Sequence, residues 1–86
     1  MNSHNTPMER RHLARVKELP CSVCNASGPS EAHHIDQKCA WTAVALCPDC
    51  HRGTNGWHGN KSLWRINRVS ELDALGVTIK RLLEQR

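Results

Sequence analysis

Two C-x2-C pairs, a shortage of aromatic side chains and a short alternating stretch set between helical ones predict a small α+β domain stabilised by zinc. The paired cysteines are Cys21, Cys24, Cys47 and Cys50, spaced C-x2-C-x22-C-x2-C. Each C-x-x-C turn presents two sulfurs to one ion, and four thiolates make a closed tetrahedral site. The need for such a staple follows from size. A chain of 86 residues is one domain, and a domain near this length buries only about 60% of its unfolded surface. This one has no Phe, no Tyr and three Trp, so apolar burial is in short supply. Zinc can contribute most of the folding free energy of such a domain.

The elements follow in order. Met1 to Thr6 is polar and expected to be loose. Pro7 to Leu19 reads as a helix, with Thr6 as N-cap, Pro7 at the first position and an apolar stripe of Leu13, Val16 and Leu19; Pro20 stops it. Cys21 to Cys24 is the first knuckle. Gly28 and Pro29 mark a loop. Glu31 to Ile35 reads as a strand, Asp36 to Cys39 as a turn, and Trp41 to Leu46 as the partner strand. A helix starts within C-P-D-C-H. Gly53, Asn55 and Gly56 interrupt it. Asn60 is the expected cap of the next helix, which carries Leu63, Trp64, Ile66 and Val69. Ser70 opens the last helical stretch, with Glu71 and Asp73 in its first turn. Leu72, Leu75, Ile79, Leu82 and Leu83 are its expected buried face, and Gly76 a candidate break. The core thus spans residues 21–61, with a helical segment over 62–86.

The start MNSHNTPMERR has no apolar run of the kind a signal peptide carries, and no stretch approaches the length of a membrane span. The expected compartment is the cytoplasm, where thiols stay reduced and paired cysteines more often hold metal than form disulfides. Redox C-x-x-C motifs usually occur singly on a βαβ pattern, which is absent. The fifth cysteine, Cys39, is left as a free thiol or a substitute ligand. The formal charge is +4, which a four-thiolate zinc site lowers to about +2. The basic residues are clustered: Arg10, Arg11, Arg15 and Lys17 near the N-terminus, and Lys61, Arg65 and Arg68 further on. Such patches suit a polyanion, although solvated helix faces look the same by charge alone.

Four histidines, His33, His34, His51 and His58, fall within 26 residues and interleave with the second knuckle. Adjacent strand residues point to opposite faces, so His33 and His34 are turned differently. Three of the four can form a second metal site. Phosphodiester cleavage needs a divalent cation to stabilise developing charge and a base to take a proton from water, for which His is suited near neutral pH.

The strings A-H-H-I and V-A-L-C-P-D-C-H resemble the HNH endonuclease superfamily, and C-H-R-G-T-N-G-W-H-G-N-K resembles small phage-encoded members of the recombination-enhancement (Ref-like) type. The resemblance covers Cys21 to Lys61. It implies a ββα-metal (His-Me finger) core, here with flanking N- and C-terminal helices, that hydrolyses DNA phosphodiester bonds. It implies His33 and His51 as ligands of a catalytic divalent cation such as Mg2+, Mn2+ or Ni2+. His58 is a further ligand or a phosphate contact, and His34 is the general base. Arg10, Arg11, Arg15, Lys61 and Arg65 are candidates to grip the DNA backbone. A phage origin, and a second copy or a recombination or packaging protein as partner, also follow from the resemblance. The chain departs from the family at the middle Asn that orients the base: Trp41, Thr42 and Ala43 stand there, so Thr42 or a backbone carbonyl takes that part. The G-T-N-G insertion also separates His58 from His51. Two other functions fit the cysteines: a non-catalytic zinc-binding nucleic-acid module, and a zinc-stapled protein-interaction domain.

Overall fold

Two short strands pair antiparallel in this protein, and four helices among the described residues pack around them. The computed structural model describes residues 5–85. Helix α1 spans Pro7–Glu18. Thr6 and Glu9 form a capping box at its start: the Thr6 hydroxyl accepts the Glu9 N–H at 3.1 Å, and the Glu9 carboxylate accepts the Thr6 N–H at 2.8 Å. Such reciprocal bonds satisfy two of the four free N–H groups of a helix start. Leu19 is the C-cap and not a helical residue, being extended at φ −80° and ψ 157°, as the residue before a proline prefers.

Strands β1 (Glu31–His34) and β2 (Ala43–Leu46) pair Glu31 with Leu46, Ala32 with Ala45, His33 with Val44 and His34 with Ala43. The period-2 alternation then sorts the hairpin. His33, Val44, Glu31 and Leu46 share one face; Ala32, Ala45, His34 and Ala43 share the other. The first face packs with Cys21, Cys47, Cys50 and Trp64. The second packs with Val16, Leu19 and Leu82, so α1 and the last helix cover it. β2 begins later than the alternation predicts. Residues Ala40–Thr42 form a 3-10 turn, because Cys39 O accepts both the Thr42 N–H at 3.2 Å and its hydroxyl at 2.9 Å. A Thr side chain that bonds back three residues competes with extended structure.

Helix α2 spans Pro48–Arg52 and α3 spans Ser62–Asn67. Lys61, not Asn60, is the residue at the α3 N-cap, in the left-handed region at φ 64° and ψ 17°. Asn60 still serves the helix start, since its Oδ1 accepts the Ser62 N–H at 2.9 Å.

Helix α4 runs unbroken through Gly76 over Glu71–Glu84 and is opened by a Ser70/Asp73 capping box. Its buried face is Ala74, Thr78 and Leu82. Leu75 packs against the core, but Leu72 (73% exposed), Ile79 (37%) and Leu83 (60%) face outwards. The physical reason is Thr78. Its hydroxyl accepts the Ala45 N–H of β2 at 3.2 Å, donates to Ala74 O at 3.0 Å and lies 2.8 Å from the Ser22 hydroxyl. A two-stranded sheet exposes unpaired edge N–H groups. Turning Thr78 inwards satisfies one of them, and that turn carries Leu72, Ile79 and Leu83 out. Arg81 fastens the same helix to the first knuckle through Pro20 O at 3.3 Å, Cys21 O at 3.2 Å and Asn25 Oδ1 at 2.8 Å. No helix among the described residues is long and apolar enough to cross a membrane.

Candidate functional site

The four paired cysteines come together, and their sulfurs all lie within 4.8 Å of one another. A tetrahedron of sulfurs at about 2.3 Å from zinc has edges of about 3.8 Å, and Cys24 Sγ and Cys47 Sγ are 3.7 Å apart. Each knuckle aims backbone N–H groups at its first sulfur: Val23 and Cys24 at Cys21 (3.4 and 3.5 Å), and Cys50 at Cys47 (3.4 Å). Burial raises the Cys21 thiol, but the N–H groups and neighbouring thiols around it outweigh that and bring it down to about 7. Burial pushes Cys47 and Cys50 up. Four anionic sulfurs this close repel one another unless a cation sits among them, and the donor set is that of a structural zinc site. Cys39, half-buried, stays outside the cluster.

A second group of candidate ligands, His33, His51 and His58, has one donor atom from each residue within 4.8 Å of the others. Their ring centroids are 5.1 Å (His33–His51), 5.3 Å (His33–His58) and 4.9 Å (His51–His58) apart. β1 supplies His33, and α2 supplies His51 one residue after a zinc-site cysteine. His58 reaches them because the G-T-N-G insertion loops out and returns. Trp57 N–H bonds to Cys50 O at 2.8 Å and His58 N–H to His51 O at 2.9 Å, which lays 57–58 alongside 50–51. Gly56 permits the return, since a Cβ there would strike the backbone of Asp49 and Cys50. The insertion therefore moves His58 into the cluster, not away from it. Trp57 closes one side, 6.1 Å from His33 and 5.0 Å from Trp64.

Two carboxylates hold two of the three rings. Glu71, in the first turn of α4, lies 2.7 Å from His33 Nε2. Glu31 lies 2.9 Å from His51 Nδ1 and takes two further bonds from Arg52 through Oε2, at 2.9 and 2.7 Å. Burial lowers the pKa of His33, with Glu71 acting against it. A neutral ring that donates through Nε2 keeps its Nδ1 lone pair for a metal. Arg52, then His51, hold the Glu31 carboxyl at about 2, so it stays an acceptor. Neither glutamate was among the sequence candidates. Glu31 carried a signal, because it sits two residues before His33 on the same strand face; Glu71 lies 38 residues away from its partner and carried none.

His34 ends β1 on the other hairpin face, with Ala43 opposite. Thr42 is not free to orient it: its hydroxyl is engaged with Cys39 O at 2.9 Å and the Asp36 N–H at 3.1 Å inside the connecting turn. The basic candidates fall in two places. On α1, Arg10 is bonded to Asn5 O at 2.6 Å and Arg15 to Leu82 O at 3.0 Å, while Arg11 is exposed. Beside the histidines, Lys61 Nζ sits 4.7 Å over the Trp57 ring, and Arg65 and Arg68 line the same pocket of about 340 Å³.

Comparison with family models, with curated proteins and with solved structures finds no match to this chain.

Proposed function

We propose that this chain is a metal-dependent HNH-type endonuclease that hydrolyses DNA phosphodiester bonds, with β1, β2 and α2 as its ββα-metal core. The observation that carries the reading is the convergence of His33, His51 and His58 beside a second, separate four-cysteine cluster. A small domain needs one structural metal site to fold; three imidazoles, two of them braced by carboxylates, are a ligand set for another purpose. A divalent cation held by the three rings supplies stabilisation of the charge that develops on the phosphate and the leaving oxygen.

The chain's own groups do the rest. His34 takes the proton from the attacking water. Because His33 and His34 face opposite ways on β1, the scissile phosphate lies at the end of that strand, with the base on one side and the three rings on the other. Arg11, Lys61 and Arg65 pair with neighbouring phosphates; Arg10 and Arg15 add positive charge while their guanidinium groups are tied to carbonyls. Phosphate contacts carry no sequence information, so selectivity is low.

The engagement of Thr42 in the turn favours a second reading, a non-catalytic zinc-binding nucleic-acid module. Incubation of supercoiled plasmid with the zinc-loaded protein separates the two. Nicking is expected only with added Mg2+, Mn2+ or Ni2+, and His34→Ala is expected to slow it at least ~100-fold, the usual contribution of a general base, with zinc content unchanged. A folded, zinc-loaded protein that cleaves with none of the metals is the second kind of protein.

A further inference from the structure

On the opposite side of the hairpin from the three-histidine cluster, α1 and the 3-10 turn enclose a shallow pocket of about 290 Å³ lined by Met8, Arg11, His12, Arg15 and Trp41. Three features set it apart from an ordinary surface groove. Trp41, one of only three tryptophans in the chain, is left 44% exposed in a protein short of apolar side chains. The His12 ring lies against it, with centroids 4.7 Å apart and planes at 40°. His12 Nε2 is buried yet has no hydrogen-bond partner, and buried polar groups are seldom left so. Burial, then Arg15, lowers the pKa of this ring, so near neutral pH it is an uncharged imidazole with both donor and acceptor character.

The pocket is also well placed. Trp41 lies two residues before Ala43, which pairs with His34, and α1, which supplies the rest of the lining, packs on the hairpin face that carries Ala43. An aromatic platform, an unpaired ring nitrogen at its edge and an exposed guanidinium beside it are the parts that hold a nucleotide: the base stacks, its edge is hydrogen-bonded and its phosphate is neutralised. A duplex keeps its bases stacked on each other and cannot offer one to Trp41.

We propose that this pocket binds one unpaired base of single-stranded DNA, stacked on Trp41, bonded at its edge by His12 and held at its phosphate by Arg11. The proposal builds on the endonuclease reading by naming single-stranded or distorted DNA as the preferred substrate, but its test does not depend on cleavage. Arg15 contributes charge from the rim while its bond to Leu82 O keeps α1 against α4.

The test is fluorescence anisotropy of a labelled thymidine oligonucleotide and of a duplex of equal length, using zinc-loaded protein with no other metal added. The intact protein is expected to bind the single strand more tightly. Trp41→Ala is expected to weaken single-strand binding about tenfold, a value within the range for loss of one stacked base, and to change duplex binding less than twofold. Trp41→Phe, which keeps an aromatic face, is expected to retain most of the affinity, and His12→Ala to lose part of it. Failure of the intact protein to bind the oligonucleotide overturns the proposal. So does an unchanged affinity in Trp41→Ala, or an equal loss on single strand and duplex, in protein of unchanged zinc content and circular dichroism. Trp41-dependent binding without plasmid nicking leaves the base pocket standing and removes the endonuclease reading; nicking without Trp41-dependent binding does the reverse.

Discussion

The two ligand clusters share a boundary residue by residue, Cys50 in one and His51 in the other, yet they are built in opposite ways. The cysteine cluster is drawn from two tight turns, with Cys21 and Cys50 fully buried, and its donors complete a tetrahedron without help. The histidine cluster draws one ligand each from a strand, a helix and a loop, grades from buried His33 to exposed His58 and offers three donors only. A closed four-sulfur site leaves nothing for a substrate to reach; three nitrogens with an exposed side do. The cysteines also sit inside the hydrogen-bonded frame that places His51 and His58, because Cys50 O accepts the Trp57 N–H and, at 2.8 Å, the Trp64 indole N–H. The closed site is the foundation of the open one.

The largest test of that comparison removes the foundation. Stripping the metal with a chelator, or Cys47→Ser, is expected to abolish cooperative unfolding, since structural zinc contributes on the order of 10–16 kcal/mol at neutral pH and a domain of this kind holds only about 5–15. Far-UV circular dichroism against zinc content measures it; a protein that keeps its helices without zinc shows that the apolar core suffices.

A smaller effect separates the clusters. Glu71→Ala removes the carboxylate behind His33 and is expected to weaken binding of a second divalent ion about 10–100-fold, while cysteine-bound zinc and the melting temperature hold. Titration calorimetry with Mn2+ or Ni2+ reads the first, and nitrogen NMR of the His33 ring reads whether the Nε2–H form is lost. Equal affinity in the variant means that Glu71 only satisfies the buried His33 ring and does not tune it as a ligand. The smallest effect tests how α4 carries Glu71 to the site. Ser70→Ala breaks the capping box at that helix start and is expected to cost ~1 kcal/mol, seen as a lower denaturation midpoint with an unchanged slope. A drop in second-metal affinity without any loss of stability would show that the cap positions Glu71 and does little for the helix as a whole.

Much of this was legible locally. The knuckles, the hairpin, the helix starts at Thr6 and Ser70 and the grouping of the histidines around the second knuckle are short-range patterns, written in spacing, alternation and cap chemistry. The misreadings came from contacts that no local pattern contains. Trp41 and Thr42 alternate like strand residues, but a hydroxyl bond to Cys39 O turns them into a 3-10 turn. The stripe of Leu72, Ile79 and Leu83 looks buried by periodicity, but the edge of β2 asked for a hydroxyl, and Thr78 is the residue that met it.

The sequence by itself determined which four cysteines come together as a staple, that a hairpin lies between helices, and that His33 and His51 flank that staple. Those depend on residues near one another along the chain, or on cysteine pairs whose only mutual use is one ion. Tertiary structure alone decided that His58 joins the cluster through a looped-out insertion, that Glu31 and Glu71 brace His51 and His33, and which face of α4 is buried. Each of those is settled by hydrogen bonds between distant segments, whose donors and acceptors find each other only once the core has closed.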